Sequence, residues 1–430
     1  MHGTTAMAGG GEPGGARKGP ASALAVTRLS LSRFRSYEAA LLALDTRPVV
    51  LVGPNGAGKT NVLEALSLLA PGRGLRGARM ADLVHEPAGA STSPVSADTG
   101  FAEAPAALPE RPGAQDWAVA VTLTTHGGES RLGTGTAGGD RRVVRVNGAA
   151  ASGAGAFADH LRVAWLTPAM DRLFIEGPSE RRRFLDRLVL GDSPDHAAHA
   201  LAYERAMRTR NRLLSEGPND PAWLSALEAQ MGTHGAAMAS ARRRFVTRLQ
   251  AAIDAWGREQ DEAGHGIAGA FPHADISLEG SWEAAFDEAP LNEGGNDSGA
   301  VFADRLARSR PRDGAAGRTL DGPHRSDLGV VHRAKAMAAR DCSTGEQKAL
   351  LIGLILANVR LRAHEDGRPP LLLLDEVAAH LDAVRRAALF DELCRLGIQA
   401  WMTGTDAVLF EAFGDRVQMI GVQNSTFLLA

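Results

Sequence analysis

Apolar positions along the chain follow three rhythms. Val49-Val50-Leu51-Val52 and Leu371-Leu372-Leu373-Leu374 are unbroken apolar runs, the pattern of strands buried on both faces of a parallel sheet. Alternation comes next. Val26, Leu29, Leu31 and Phe34, then Leu41, Leu42 and Leu44, predict two strands joined near Arg35-Ser36-Tyr37-Glu38. Trp117, Val119, Val121 and Leu123 alternate with smaller residues, and Arg142 to Val146 forms a further β-like run before the Asn147-Gly148 turn signal. Together these predict an antiparallel layer attached to the core. Leu161 to Leu166 reads as a core strand stopped by Thr167-Pro168.

Helical spacing is the third rhythm. It predicts helices over Glu180 to Leu190, Ala197 to Leu214, Pro221 to Met231 and Ala236 to Trp256, and again over Val301 to Arg308, Ala349 to Leu361 and Val384 to Leu396. Sustained heptads are missing, so the block is expected to be a compact arm and no long coiled coil. Residues 271–300 return to strand-like and then loop composition, with Gly294 to Gly299 expected to be mobile. Leu328 to His332, Ile398 to Met402 and Val417 to Ile420 complete the strands. The expected organisation is a tail at 1–23, a first lobe at 24–168 with a flexible insertion at 86–115, a helical arm at 169–300 and a second lobe at 301–430.

Composition narrows the class. The 430 residues are 44% hydrophobic, enough to fill more than one core. No run reaches the ~20 apolar residues of a bilayer span, and residues 1–23 lack the apolar segment of a secretion signal. A cytoplasmic protein with no membrane partner is expected. Cys342 and Cys394 form no disulfide framework, and the 13 histidines show no metal spacing. Net charge is −3, so any affinity for nucleic acid must come from local patches.

The first apolar run leads into Gly53-Pro54-Asn55-Gly56-Ala57-Gly58-Lys59-Thr60, which keeps the G-x-x-x-x-G-K-[ST] spacing of a phosphate-binding loop. Its backbone N–H groups can wrap a triphosphate, Lys59 can neutralise the β and γ phosphates, and Thr60 can hold Mg²⁺. The helical pattern from Asn61 sets the phosphates at a helix N-terminus. The second apolar run ends in Asp375-Glu376, where a parallel sheet binds ligands. Asp375 takes the metal role, and Glu376 is placed as general base on an attacking water. Ser343-Thr344-Gly345-Glu346-Gln347 precedes the helix from Ala349. Alone it also reads as an ordinary N-cap, but it lies 32 residues before Asp375, and Leu381-Asp382 follows seven residues after. That order resembles an ABC-type ATPase head: an α/β class fold with a P-loop core and an antiparallel β layer, here carrying an inserted helical arm.

Longer stretches resemble one family, RecF, whose members are SMC-like ATPases of recombination and gap repair. They are Leu31 to Tyr37, Gly53 to Asn61, Glu180 to Asp186, Tyr203 to Asn211, Gly322-Pro323-His324-Arg325, Ser343 to Lys348 and Leu371 to Asp382. The resemblance implies ATP and Mg²⁺ as cofactors and a nucleotide contacted by Arg35, by the Gly53 to Asn61 loop, and by Ser343, Gly345, Gln347 and Asp382. It implies an ATP-dependent homodimer in which Ser343 comes from the second copy, with Lys59, Glu376 and Ser343 as the catalytic set of a weak, DNA-stimulated ATPase. The implied partners are double-stranded DNA, single-strand/double-strand junctions, RecR and RecO, with RecA loading as the outcome. An ABC transporter subunit and a P-loop small-molecule kinase remain alternative readings of the ATPase motifs.

Four arginine clusters are candidates for gripping DNA phosphates: Arg205, Arg208 and Arg212 with Arg210 nearby; Arg181 to Arg183; Arg242 to Arg244; and Arg305, Arg308, Arg310 and Arg312. Solvated helix faces paired with acids are the bland alternative for each.

Overall fold

The computed structural model describes residues 24–86, 116–125, 127–138, 140–217, 220–263, 270–288 and 296–429. The expected tail and, Glu86 apart, the expected insertion lie outside them. Strand β1 (Leu24–Phe34) turns at Arg35-Ser36 into β2 (Tyr37–Ala43), as the alternation predicts. Next come β3 (Val49–Val52), helix α1 (Lys59–Ser67), and the strands β4 (Ala118–Thr125), β5 (Gly128–Thr136), β6 (Arg142–Val146) and β7 (Ala149–Ala150). All but β3 of these strands form an antiparallel sheet in the order β2-β1-β4-β5-β6-β7.

After β8 (Val163–Leu166) the chain becomes helical: α2 (Pro178–Leu190), α3 (His196–Glu216) and α4 (Pro221–Ala263). A three-stranded sheet follows from β9 (Ala274–Glu279), β10 (Asp327–His332) and β11 (Met337–Ala338), with α5 (Ser281–Glu288) and α6 (Asn296–Ala316) between its first two strands. The last part holds α7 (Thr344–Asp366), β12 (Leu371–Leu374), α8 (Ala383–Arg395), β13 (Ala400–Gly404), β14 (Gln418–Gln423) and β15 (Thr426–Leu429). Among the described residues no helix is long and apolar enough to cross a membrane.

The central sheet runs β15-β14-β3-β13-β12-β8, parallel except for β15 at one edge. Its unbroken apolar strands feed two cores at once, because successive side chains point to opposite faces. Val49, Leu51, Leu371 and Leu373 join α1 and the antiparallel sheet. Val50, Leu372 and Leu374 join α7 and α8. Since β3, β13 and β12 are parallel neighbours, their C-terminal ends, where the loops of interest begin, share one edge.

Two helices expected over Pro221 to Met231 and Ala236 to Trp256 are one helix, α4, of 43 residues, roughly 65 Å at ~1.5 Å per residue. Gly232 and Gly235 are sites of close approach and break nothing: a Cβ at Gly232 would lie 2.2 Å from the Gly299 carbonyl oxygen of α6. Residues 296–299 are accordingly helical, against the expected mobile stretch, whose remainder at 294–295 lies outside the described residues. The arm also does not end at residue 300, since Phe302 and Leu306 of α6 share a core with Tyr203, Met231 and Trp282. The C-terminal half of α4 belongs elsewhere: Phe245, Leu249, Ile253 and Trp256 are buried in the same core as α7.

The sequence stretches in the arm that carry the family resemblance converge on buried polar networks. Arg210, fully buried, donates to Glu228 (3.0 Å), Asp313 (2.8 Å) and Thr319 (2.9 Å). His324 Nε2–H donates to the Thr319 carbonyl, so its Nδ1 accepts from the Tyr203 hydroxyl at 2.9 Å. Asp186 on α2 accepts from His196 Nε2 on α3 (2.8 Å) and from Arg242 Nε and Nη2 on α4 (2.7 and 2.8 Å).

Burial pushes the Asp186 carboxyl up, but the hydrogen bonds from His196 and Arg242 outweigh it and hold the pKa at about 2. The folded value lies below the unfolded one. The associated stability is therefore present above an ordinary carboxyl pKa and is lost as pH falls through about 2. Asp186→Asn should be less stable than the wild type near neutrality by ~2 kcal/mol, with the gap closing as pH falls from ~4 towards 2. Urea titrations across that range test this; a gap independent of pH would contradict it.

Candidate nucleotide site

The loop between β3 and α1 is shaped by contacts no neighbouring sequence announces. Gly53 must lack a side chain, since a Cβ there would lie 2.1 Å from the Val422 carbonyl oxygen on β14. Gly58 has φ +108°, the left-handed region, and a Cβ there would meet the Tyr37 hydroxyl at 2.9 Å. The buried Tyr37 hydroxyl donates to the Gly58 carbonyl (3.2 Å), and the Ser425 N–H in the β14–β15 turn donates to the Ala57 carbonyl (3.0 Å). Tyr37 and this last turn are parts of the loop's support that sequence reading missed. Pro54, Asn55 and Gly56 form an exposed lip over the buried Ala57, Gly58 and Lys59.

Helix α1 begins at Gly58 with no side-chain cap and no acidic residue in its first turn. Its N-terminal N–H groups thus remain without a side-chain partner, as an anion site requires. Lys59 Nζ is held over the loop by the carbonyls of Gly53 (2.7 Å) and Pro54 (2.8 Å). Burial pushes its pKa down, and the nearby Glu376 and Asp375 carboxylates offset part of that shift.

Opposite the loop, β12 ends in the buried Asp375. Its Oδ1 accepts from the Thr60 hydroxyl at 3.0 Å and from the Thr403 hydroxyl of β13 at 2.8 Å. Thr403 also accepts from the Glu376 N–H (2.8 Å), which holds Glu376 at φ +54°, an unusual backbone conformation for a residue other than glycine. Such strain clusters at functional sites. Sequence reading assigned Thr403 no role. Its signal was position, at the end of the strand between the two motif strands.

Among the described residues no trio of His, Cys, Asp and Glu could hold a metal by itself. Thr60 and Asp375 form a two-oxygen set that suits Mg²⁺, a cation usually held by one or two side chains plus substrate phosphates and water. The two glycines, the uncapped helix and this oxygen pair fit a magnesium-bound nucleoside triphosphate.

Other expected contact residues are committed elsewhere. Arg35 forks onto the buried Glu64 of α1 (3.0 and 2.8 Å) and donates to the Asp82 carbonyl (2.8 Å). Asn61 donates to the Ser36 hydroxyl (2.8 Å) and accepts from Arg76 (2.9 Å). Gln347 is buried and donates to the Arg340 and Cys342 carbonyls (3.3 and 2.8 Å), so it braces the turn before Ser343 and presents no amide outward. Asp382 caps α8, accepting from the Arg385 N–H (2.8 Å). Ser343 caps α7, and Ser343, Thr344 and Gly345 are exposed. Among the described residues no hydrogen bond or ion pair joins these three to the Gly53 to Asn61 loop.

Most of the arginine clusters dissolve into ion pairs. Arg181 pairs with Asp327, Arg242 with Asp186, Arg305 with Asp321, and Arg310 with Glu228. Arg210 is fully buried. Arg205, Arg208 and Arg212 stay exposed on one face of α3, with Arg208 paired to Glu204.

Residues 25–426 match the family model described as the RecF/RecN/SMC N terminal domain. A DNA replication and repair protein RecF of Rhizobium rhizogenes is 50% identical over 400 residues, 92% of this chain and 96% of that protein. The RecF of Rhizobium meliloti is 47% identical over 404 residues, 93% and 97% of the two chains. Among solved structures, the recombination mediator protein RecF-ATP of the RecFOR pathway superposes with TM-score 0.74 at 21% identity, over 96% of this chain and 100% of that one. An Smc head bound to the C-winged helix domain of ScpA aligns with TM-score 0.50 at 15% identity, over 94% and 96%.

Proposed function

This chain belongs to the RecF family, and on that premise we propose that it is an ATP-dependent DNA-binding clamp of gap repair, cytoplasmic, closing as a homodimer on duplex DNA beside single-strand gaps. The observation that carries the reading is the division of the site. Lys59, Thr60, Asp375 and Glu376 converge on one sheet edge, while Ser343 and Gly345 stand exposed with no bond to them. A second copy can supply the missing signature.

In this reading the loop N–H groups and Lys59 bind the triphosphate of ATP, and Thr60 and Asp375 hold Mg²⁺, which supplies charge neutralisation on the phosphates. Glu376 takes the proton of the attacking water. Ser343 and the Gly345 N–H of the partner complete the γ-phosphate's surroundings, so hydrolysis is weak in the single chain and serves as a switch. Arg205, Arg208 and Arg212 offer the arm's exposed cations to DNA phosphates. RecR and RecO are the partners in RecA loading at the gap.

Sedimentation with ATP and Mg²⁺, with and without gapped duplex, tests this. The wild type should dimerise on ATP, whereas Ser343→Arg should bind ATP as a monomer and fail to dimerise. Dimerisation of Ser343→Arg at wild-type strength would overturn the composite site. Turnover per chain independent of protein concentration would instead favour a kinase-like site complete in one chain.

A further inference from the structure

The chain treats the two helix N-termini of its site in opposite ways. Helix α1 is left without a side-chain cap, while α7 carries a carboxylate of its own inside its cap. Glu346 Oε2 accepts from both the Ser343 N–H (3.0 Å) and the Ser343 hydroxyl (2.9 Å). The return bond, from the Glu346 N–H to the Ser343 Oγ, is long at 3.4 Å. Glu346 Oε1 takes the Lys335 ammonium, carried on the short turn Arg333–Lys335 between β10 and β11. The hydrogen bonds from Lys335 and Ser343 hold the Glu346 carboxyl at about 2, so it is an anion throughout the neutral range.

The Ser343 donors that a partner's γ-phosphate would meet are therefore already spent on an internal anion. Two anions cannot share one helix N-terminus without repulsion, and that repulsion grows as a closing interface excludes water. A destination for the carboxylate exists: Glu346 borders a recess of about 460 Å³ lined also by His273, His332 and Arg385.

We propose that Glu346 is a built-in competitor for the partner's phosphate, holding the Ser343 donors in the separate chain and releasing them for the two heads to engage, with Lys335 as the cation that draws it away. This rests on the composite-site reading above. Glu346 acts through Ser343 and is a positioning residue. Its function is to set the ATP concentration at which heads engage, so that nucleotide binding by single chains does not close clamps indiscriminately.

Glu346→Gln keeps the reach and the acceptor of a capping side chain while removing the charge, and Lys335→Met removes the cation that draws Glu346 away from Ser343. If Glu346 were only a structural cap, both variants would weaken dimerisation. Competition requires opposite signs. Glu346→Gln should tighten ATP-dependent dimerisation about five- to tenfold, and Lys335→Met should weaken it by a similar factor, the size expected for one charge-assisted contact. The double variant should match Glu346→Gln alone, because Lys335 acts only through Glu346.

Sedimentation velocity with a slowly hydrolysed ATP analogue and Mg²⁺ reads the dimer constant. A fluorescent ATP analogue reads single-chain affinity, which should not change, and circular dichroism confirms that α7 is intact. Single variants that shift dimerisation in the same direction, or a Glu346→Gln that fails to tighten it while Ser343→Arg still blocks it, overturn the competitor and leave the composite site standing. A Ser343→Arg that dimerises normally removes both.

Discussion

Lys59→Ala should reduce ATP affinity by about 100-fold, the factor that corresponds to ~3 kcal/mol for one buried charge-assisted phosphate contact. Lys59 is 5% exposed and sits at the uncapped start of α1, and its ammonium is aimed along the loop by two carbonyls. Among the described residues no other cation is hydrogen-bonded to the carbonyls that hold Lys59. Arg76 is nearby in sequence, but its guanidinium is tied to Asn61 (2.9 Å) and Glu64 (3.1 Å). The variant should fold, because Lys59 closes no ion pair and α1 is anchored by Val62, Leu63 and Leu66 in the core. Titration with a fluorescent ATP analogue gives the affinity, and circular dichroism controls for folding. Wild-type affinity in a folded Lys59→Ala protein would remove the nucleotide site from this loop.

The largest loss of stability should come from a residue far from any nucleotide. Arg210 is fully buried between Glu228 and Asp313, themselves about 1% and 0% exposed. Arg210→Ala would leave two carboxylates in the arm core, Glu228 with Arg310 and Asp313 with only the largely exposed Arg312 at 3.9 Å. Breaking one side of a buried ion network costs ~3–5 kcal/mol, enough to unfold a marginal arm. The companion variant Arg210→Leu with Glu228→Gln and Asp313→Asn removes the stranded charges and should recover much of the loss. Urea denaturation followed by circular dichroism distinguishes these outcomes. If Arg210→Ala alone costs less than ~1 kcal/mol, within the range of an exposed pair, the network is not what holds α3, α4 and α6 together.

The same arginine shows where the sequence stops being readable. Arg205, Arg208, Arg210 and Arg212 look alike in one helical stretch, and only the fold separates them, because the acids that claim Arg210 lie 18 and 103 residues away. Strands β3 and β12 were legible because burial on both faces leaves an unbroken apolar run. Strand β5 was not, since Gly128, Gly133 and Gly135 interrupt any alternation while the strand gains its partners from β4 and β6. Helix α4 read as two helices because a glycine's local propensity says nothing of Gly299 packed against Gly232.

At the site, the phosphate loop and Asp375 were legible from spacing, and their meeting follows from parallel pairing through β13. Thr403, Tyr37 and the β14–β15 turn were not, as each contributes one common residue whose role depends on a neighbour distant in sequence. Arg35, Asn61 and Gln347 were expected to contact the nucleotide, whereas their side chains are committed to Glu64, Ser36 and the carbonyls before Ser343.

The bond between Thr60 and Asp375 spans 315 residues. At a synthesis rate of ~5–20 residues per second, the loop waits roughly 15 to 60 s for its metal-side carboxylate. Through that interval β3 has neither β13 nor β14 beside it, and its four apolar residues stand unpaired on both edges. The nascent chain thus carries a fully apolar strand early and gains the partners that cover it late, so the ribosome-bound stage is one at which a chaperone would shield it.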